Sequence, residues 1–473
     1  MKKTKTVILS VALAFVILLP FVLVPLLGAL LPPVYTNSFV NALGEKTERL
    51  YSIKEPKIVI IGGSSAAFGI DSEIIERYTG MPVVNYGLYA ALGTKLMLDM
   101  SKDAIGEDDI IIVAPEMDAQ TLSLYFSSAT TLRALDGSPS LFKHVDTEHV
   151  FTMLGASWSF TTEKIRYLNG EIPNPDGVYN SKNFNERGDL VWEREENIMN
   201  LYYDPNTPIN LDKTIVSEDF VDYLNDYIAL AERKGATVCF SYPPMNEMAL
   251  TDTSDAKAFE DYLKSRINAG FISNLSDYIY EAGYFYDTNF HLNEAGVRRH
   301  TVNLTKDILL ELGIPTLVKE EVPEAPALPE ADVRFFGEDD NAKYFEYEKR
   351  PDGSYMIVGV KAEWKSETSL TVPLGYGGYK VSAIASGAFE GSSVARLTLT
   401  EDTNIRHIMN GAFVGASSLT ELWIYYKTQS DIMPPADFSG VAVGFKVYVP
   451  SDSDYPMGYY WSERGLTFVR ITE

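Results

Sequence analysis

The chain has 473 residues, a formal net charge of −25 and one cysteine, Cys239. The length predicts two or three folding units, and a hydrophobic share of 46% predicts that most of the chain folds. The negative charge argues against nucleic acid as a partner. One thiol cannot form an internal disulfide, and no Cys/His group has zinc-site spacing. We therefore expect no metal and no cofactor, and we interpret Cys239 as a buried apolar residue.

The first 33 residues predict a membrane segment. Lys2, Lys3 and Lys5 precede an apolar run from Val7 to Pro33 that contains no charged residue. About 20 apolar residues span a bilayer, whereas the core of a signal peptide has about 7–15. The length favours a signal-anchor helix over 1–33, so that the protein is expected to cross the cell membrane once. The lysines then stay in the cytoplasm and the main domains are extracytoplasmic. A cleaved signal peptide is the alternative, and it also exports the rest of the chain.

After a predicted polar stem, 34–56, short apolar runs alternate with amphipathic stretches. The apolar runs predict strands over 57–62, 82–86, 109–114, 236–242 and 284–287. The amphipathic stretches predict helices over 71–78, 94–103, 220–234 and 293–312. This alternation predicts an α/β domain, 57–315, with a parallel sheet covered by helices on both faces and active groups at the carboxyl ends of its strands. Residues 119–215 interrupt the alternation, either as a decorated connection or as a lid or substrate wall.

The C-terminal third has a different organisation. Three prolines and four glutamates in 316–332 predict an extended linker. In the domain that follows, 333–473, the segment Ile384-Ala-Ser-Gly-Ala-Phe389 recurs 24 residues later as Ile408-Met-Asn-Gly-Ala-Phe413, and Asp437-Phe438 repeats its end. A period of this size predicts stacked repeats that each supply one strand.

These repeats resemble the BspA-type leucine-rich repeats of bacterial surface proteins. The resemblance implies a solenoid, with Val447-Tyr-Val-Pro450 and Tyr459-Tyr-Trp461 in its closing cap. It also implies a protein or surface ligand for the repeats. A passive spacer is the alternative interpretation of this domain.

The segment Ile61-Gly-Gly-Ser-Ser-Ala-Ala-Phe-Gly69 joins the first predicted strand to a short helix. Its two glycines allow a sharp turn. The turn is expected to place the Ser65 hydroxyl at the carboxyl edge of the sheet, where the backbone N–H of Ser65 can help to hold an oxyanion. A purely structural turn is the common alternative. A phosphate-binding loop is disfavoured because the Lys-Ser/Thr pair of a P-loop is missing, and so is the full Gly-x-Gly-x-x-Gly of a dinucleotide site.

A second reactive segment, Tyr286-Asp-Thr-Asn-Phe-His291, precedes the last predicted helix. A serine nucleophile needs a base to accept its proton, and an imidazole serves best when a carboxylate fixes its tautomer. Among the five histidines, only His291 has an aspartate, Asp287, just upstream at the end of a predicted strand. We therefore predict Ser65, His291 and Asp287 as the catalytic residues.

Together the two segments resemble the SGNH/GDSL family of esterases and acyltransferases, in particular its cell-envelope branch. The first block of that family, Gly-Asp-Ser-x-x-x-Gly, corresponds to Gly63 through Gly69. The correspondence implies that Ser65 is the nucleophile and that Ser64 stands in place of the family's aspartate. The resemblance covers roughly residues 57–315 and implies a flavodoxin-like three-layer fold with a parallel sheet.

The other family blocks match less evenly. The second block implies that Gly87, which follows Asn85 closely, donates to the oxyanion. The last block, Asp-x-x-His, corresponds to Asp287 and His291 with one additional residue between them. The third block departs from the family, because Glu116 stands where an asparagine donor is expected. A carboxylate there opposes an oxyanion unless it is protonated.

The resemblance implies an O-acyl esterase or O-acyltransferase that acts on a cell-envelope glycan. The partners would be an acylated glycan or another acyl donor, together with a multi-pass membrane acyltransferase if the enzyme is a transferase. The two reactions differ only in whether water or a sugar hydroxyl attacks the acyl-Ser65 intermediate. The alternative function is a catalytically degenerate surface protein whose repeats mediate adhesion or protein interaction.

Overall fold

A computed structural model describes residues 19–20, 22–172, 177–199, 207–250, 255–328, 333–350, 353–427, 432, 434–435, 438–453, 455, 461 and 466–471. The chain divides into two compact units. The first comprises Met1–Asn197 and Pro205–Leu328, and the second comprises Ile198–Asp204 and Pro329–Glu473. The boundary after Leu328 falls inside 316–332, the segment predicted as a linker.

The first unit is built on a parallel sheet. Its strands in chain order are β1 (Ile58–Gly62), β2 (Val83–Asn85), β3 (Ile110–Ala114), β4 (Thr237–Phe240), β5 (Met245–Asn246), β6 (Gly270–Phe271) and β7 (Ile279–Tyr280). The main sheet has the order β2-β1-β3-β4-β6, with every pair parallel, and β5 pairs with β7 separately. The fifth strand is therefore β6, and the prediction of a strand over 284–287 is wrong. At that point the chain forms a short hairpin instead.

Helices cover both faces of this sheet. In chain order they are α1 (Leu43–Ser52), α2 (Ser64–Gly69), α3 (Ser72–Thr79), α4 (Thr94–Ser101), α5 (Ser128–Ala134), α6 (Thr147–Leu168), α7 (Glu218–Arg233), α8 (Ala256–Arg266) and α9 (Glu294–Glu311). Alternate residues of β1 point to opposite faces, so that Ile58 packs in one apolar cluster with Leu304 of α9 and Val59 packs in another with Leu96 of α4. This two-sided burial explains why β1 and β3 read as continuous apolar runs.

Two regions outside the alternating pattern also pack into the first unit. The segment predicted as a stem, 34–56, contains α1 and contributes Phe39, Leu43 and Leu50 to the core. The interrupting segment, 119–215, contains α5 and α6 together with several single turns of 3₁₀ helix. Its predicted turn cluster at 173–177 lies outside the described residues except for Gly177.

The second unit contains two sheets. Its strands are β8 (Phe345–Lys349), β9 (Tyr355–Val360), β10 (Ser369–Thr371), β11 (Gly375–Tyr376), β12 (Tyr379–Ile384), β13 (Arg396–Leu399), β14 (His407–Ile408), β15 (Glu421–Ile424), β16 (Lys446–Pro450) and β17 (Thr467–Ile471). One sheet is parallel throughout, in the order β10-β13-β15-β16-β17. The other has the order β11-β12-β9-β8, with β14 on β12, and includes the antiparallel pairs β8–β9 and β11–β12.

The sequence repeat corresponds to a stack of phenyl rings in the second unit. Phe389 and Phe413 stack with their ring centroids 5.9 Å apart, and Phe413 and Phe438 stack at 5.3 Å. Of the predicted cap, Trp461 is buried and donates to the Ile432 carbonyl at 2.8 Å. Asp437, Tyr459 and Tyr460, which belong to predicted repeat and cap motifs, lie outside the described residues.

The fold class and the membrane placement predicted from the sequence need correction. Across the described residues, no helix combines the length and the apolar character needed to cross a bilayer. The predicted single-pass placement, with its extracytoplasmic domains, is therefore wrong. Of the predicted anchor, residues 1–18 and 21 lie outside the described residues. The predicted leucine-rich-repeat solenoid is also corrected, because the second unit consists of one parallel sheet and one sheet of mixed direction. The fold is a mixed α/β structure with parallel sheets.

Candidate active site

Ser64 and Ser65 begin helix α2 directly after β1. The preceding Gly63 is extended, and a Cβ atom at that position would lie 2.8 Å from the Glu116 carboxyl group. Only glycine therefore lets Glu116 approach the turn this closely. Ser65 is fully buried, and its Oγ has no hydrogen-bond partner in the part of the chain that the structure describes. An unpartnered buried hydroxyl calls for a functional explanation or a bound water molecule.

Glu116, which follows β3, fills the position beside the serines. Its Oε1 accepts hydrogen bonds from the Ser65 backbone N–H at 2.7 Å and from the Ser64 hydroxyl at 3.1 Å. Burial raises the pKa of Glu116, and the negative charge of Asp118 raises it further, while the Ser65 N–H and His291 oppose the shift. The N–H group that we expected to hold an oxyanion thus binds a carboxyl group in this structure.

Asp287 and His291 form a hydrogen-bonded pair. Asp287 Oδ1 lies 2.8 Å from His291 Nδ1, and Asp287 Oδ2 accepts from the Tyr179 hydroxyl at 2.7 Å. The pair is held by a tight hairpin in which the Tyr286 N–H donates to the His291 carbonyl at 2.8 Å. The hairpin lets Asp287 and His291 pair although three residues separate them, one more than in the Asp-x-x-His block. Because Nδ1 faces the carboxylate, Nε2 is the imidazole nitrogen that can accept a proton from a substrate or nucleophile.

Phe68 connects the two groups of residues. It lies three residues after Ser65 on α2, and its ring stacks on the His291 imidazole at 3.9 Å between centroids and 7° between planes. The buried Arg194 guanidinium lies 5.2 Å from the Phe68 centroid, and its Nε donates to the Leu292 carbonyl at 3.1 Å. Burial lowers the pKa of Arg194 to about 10, against the opposing charge of Asp287. The imidazole is therefore fixed against the helix that Ser65 begins, although no Ser65–His291 hydrogen bond joins these described side chains.

Asn85 and Gly87 stabilise the turn between β1 and α2. Asn85 Nδ2 donates to the Ala66 carbonyl at 2.9 Å and to Asp189 Oδ1 at 3.0 Å, and its Oδ1 accepts from the Gly87 N–H at 3.1 Å. A Cβ atom at Gly87 would lie 2.9 Å from the Gly63 carbonyl oxygen. The Gly87 N–H, predicted as an oxyanion donor, is thus bonded to a side chain in this structure.

Behind this layer lie two buried titratable side chains, Lys46 and Asp189. The Lys46 ammonium donates to the carbonyls of Asn85, at 2.9 Å, and Gly188. Burial lowers the pKa of Lys46 to about 7, opposed by the charge of Asp189. Asp189 accepts from the Ser72 hydroxyl at 2.7 Å, and burial raises its pKa. This polar network fixes the second strand and the α2 turn relative to each other.

The inner side of α2 faces a cavity of about 10 Å³, which is roughly the space of one water molecule. Ser65, Ser241, Tyr242 and His300 are among the residues that line it. The Tyr242 hydroxyl, like the Ser65 hydroxyl, has no partner among the described residues. His300 is buried, its Nδ1 lies 3.2 Å from the Tyr280 hydroxyl, and burial lowers its pKa to about 3.

A larger cavity, of about 350 Å³, lies over α1 beside Lys46, Arg49 and Phe184. Neither Ser65 nor His291 is among its lining residues, so it is not the cavity in which the predicted chemistry would occur. Its wall mixes cations with the exposed carboxylates of Glu45 and Glu48.

One group of side chains has the donor types of a metal site. The ligand atoms of Asp99, Asp146 and His149 lie within 4.8 Å of one another. The Lys95 ammonium, however, lies 2.7 Å from Asp99 Oδ2 and 2.6 Å from Asp146 Oδ2. Lys95 therefore already supplies the positive charge that these carboxylates require.

Several side chains around the predicted residues were not identified from the sequence. Phe68 lies in an unspecified position of the family's first block, while Tyr179 and Asp189 lie in the interrupting segment 119–215. The only available signal was the number of aromatic and polar residues in that segment. His300 lies on α9, nine residues after His291. It has no aspartate four residues upstream, as His291 has, so the sequence did not single it out.

The structure thus brings Ser64, Ser65 and Glu116 into one hydrogen-bonded group and Asp287 and His291 into a second. Asn85 and Gly87 support the first group rather than facing an open cavity. In comparisons with known proteins, no family model matches the chain, and no curated protein matches it.

Proposed function

We propose that the first unit is a serine esterase or acyltransferase of SGNH type that acts on O-acyl groups of a glycan. The observation that carries the proposal is the Asp287–His291 pair, with its 2.8 Å hydrogen bond, stacked through Phe68 on the helix that Ser65 begins. A carboxylate-paired imidazole beside a serine at a strand end is the arrangement that nucleophilic acyl transfer requires.

In the proposed reaction, Ser65 Oγ attacks the acyl carbonyl carbon while His291 Nε2 accepts the serine proton. Asp287 stabilises the imidazolium that forms. Collapse of the tetrahedral intermediate breaks the bond to the glycan oxygen, which leaves with the proton from His291. Water or a second glycan hydroxyl then attacks the acyl-Ser65 ester, and His291 accepts and returns the proton in the same way.

Substrate access requires movement, because Ser65 is fully buried and the imidazole is covered. Tyr179, from the segment 119–215, lies 6.4 Å from His291 and 5.9 Å from Phe68 between ring centroids. This placement supports the interpretation of that segment as a wall of the site. We expect acyl groups to reach Ser65 when the turn Gly177–Tyr179 moves away from His291.

A fluorophosphonate probe tests the nucleophile directly. The full chain should become covalently labelled, and Ser65→Ala should abolish labelling because it removes the hydroxyl that we assign as the nucleophile. Ser64→Ala is the matched control, since the neighbouring hydroxyl is bonded to Glu116 and is expected to be dispensable for labelling. Equal labelling of the two variants, or none of the unchanged protein, contradicts the proposal. Acetyl release and acetyl transfer on acetylated glycans then separate esterase from transferase.

A second function is favoured by the position of Glu116. A buried carboxyl group on the Ser65 N–H blocks the place of an oxyanion, as expected for a catalytically degenerate domain. The protein would then act by binding a protein or surface ligand through its second unit. If the fluorophosphonate probe does not label the unchanged protein, and thermal unfolding shows that this protein is folded, the result supports this function.

A further inference from the structure

The longest described helix of the first unit, α6, exposes an apolar stripe. Its two aromatic members are Phe151, which is 69% exposed, and Trp158, which is 47% exposed. At the helical repeat, the stripe occupies about 100° of the circumference and extends over about 25 Å. Its full set of exposed apolar side chains is Phe151, Leu154, Trp158, Ile165 and Leu168.

The helical residues 22–30 pack beside this stripe. The Thr161 hydroxyl, which is buried between Trp158 and Ile165 along α6, donates to the Val24 carbonyl at 3.1 Å. A Cβ atom at Gly28 would lie 2.2 Å from Thr161 Oγ1, so the glycine permits the close approach of the two helices. The outer side of 22–30 is also apolar and exposed, with Val22, Leu23, Leu26, Leu27 and Leu30.

These ten side chains form one surface, which we call the apolar face. Residues 150–162 of α6 carry no charged side chain, and neither does any residue from 6 to 44. Exposed apolar residues scattered singly are ordinary on proteins, but a continuous surface of this extent marks an interaction site. The charged side chains close to its C-terminal members along the chain include Arg166 and Glu171, which pair with each other at 3.4 Å.

We propose that the apolar face docks on the surface of a lipid bilayer, with α6 and the helical residues 22–30 lying along it. The composition of Leu, Phe and Trp on one side of a helix is that of interfacial helices. The chain that leads directly into the apolar face, residues 6–18, is apolar and uncharged. The docking needs no helix that crosses the bilayer, and it is independent of the reaction at Ser65.

The charge of the protein indicates which lipid suits this surface. A net charge of −25 repels anionic headgroups, so we expect the protein to dock on zwitterionic lipid. The attraction then comes from buried apolar area and not from counter-charge, and high salt should not weaken it.

A fluorescent label on the apolar face tests the proposal in the full chain. Leu154→Cys, labelled with an environment-sensitive dye, is mixed with phosphatidylcholine vesicles that contain or lack a lipid-borne quencher. Leu26→Cys reads the other helix of the apolar face. Leu310→Cys is the matched control, because Leu310 is 80% exposed on α9, outside the apolar face. The native Cys239 is buried, so background labelling is expected to be small.

We expect vesicles to shift the emission of the labels at 154 and 26 to shorter wavelength and to expose both labels to the lipid quencher, at low and high salt alike. The label at 310 should not respond. Vesicle binding without quenching at 154 and 26, or no vesicle binding, overturns the proposal. A label at 154 that is already shielded without vesicles also overturns it. In that case a dimeric mass identifies a second copy as the occupant, and a monomeric mass identifies residues 6–18.

Discussion

His291 and His300 lie beside the same short helix, α2, but their surroundings differ. The His291 imidazole bonds to the Asp287 carboxylate at 2.8 Å and stacks on Phe68. His300 lies on the inner side, where it bonds to the Tyr280 hydroxyl at 3.2 Å, and burial lowers its pKa to about 3. A carboxylate partner stabilises an imidazolium, whereas burial beside a hydroxyl keeps the ring neutral. Proximity to Ser65 alone therefore does not identify the base.

The largest expected effect follows from removing the charge beside His291. Asp287→Asn should lower the rate of ester hydrolysis by about 10⁴-fold, because an amide favours the wrong imidazole tautomer and cannot stabilise the imidazolium. The rate is measured on an activated acetyl ester, with thermal unfolding as a check on folding. His300→Gln, assayed in parallel, should keep most of the activity. The assignment of His291 fails if His300→Gln is the more damaging of the two changes.

The next largest effect concerns stability at acidic pH. Burial lowers the pKa of His300 from 6.5 to about 3, so between these values the unfolded chain binds a proton that the folded chain does not. Stability therefore falls as pH decreases through this window, by at most about 1.4 kcal/mol for each pH unit.

The variant His300→Gln should lose this contribution. Its free energy of unfolding, measured by denaturant titration from neutral to acidic pH, should decrease less steeply than that of the unchanged protein. Parallel pH dependences would show that His300 is protonated equally in the two states and would remove the contrast with His291.

The sequence predicted the parts of the fold that are buried on both sides. β1 and β3 read as apolar runs because their alternate residues face two helix layers. β6 has only two residues, Gly270 and Phe271, which is too short to form a pattern. The segment 34–56 looked like a stem because only one side of α1 is apolar, with Leu43 and Leu50 buried.

In the site as well, local sequence patterns predicted only the contacts between residues that are close in the chain. Asp287 and His291 are four residues apart in one hairpin, so their pairing was accessible from the sequence. Glu116 meets Ser65 across 51 positions, and Tyr179 meets Asp287 across 108. Contacts at such separations depend on strand order and on the path of the segment 119–215, which no local pattern encodes.

A smaller effect is expected at Glu116. Burial raises its pKa, so the side chain loses its proton only as pH rises past an elevated value, and the resulting charge then opposes an oxyanion on the Ser65 N–H. Glu116→Gln keeps an acceptor for that N–H but never acquires the charge. We expect the variant to be about tenfold faster at alkaline pH and equal to the unchanged protein at acidic pH. A rate ratio of one at every pH would show that Glu116 stays neutral, whereas a constant ratio above one would show that it is charged over the whole range.

The smallest effect is expected at Tyr179, which belongs to the His291 side of the comparison. Tyr179→Phe removes the hydroxyl that donates to Asp287 Oδ2 at 2.7 Å but keeps the ring that covers the imidazole. The carboxylate is then held less firmly, so kcat should fall by about threefold to tenfold, while KM stays close to its original value because the wall is intact. Tyr179→Ala, which removes the wall as well, should change KM too. Equal effects of the two substitutions on KM would mean that the hydroxyl acts on substrate binding, and that Asp287 is oriented without it.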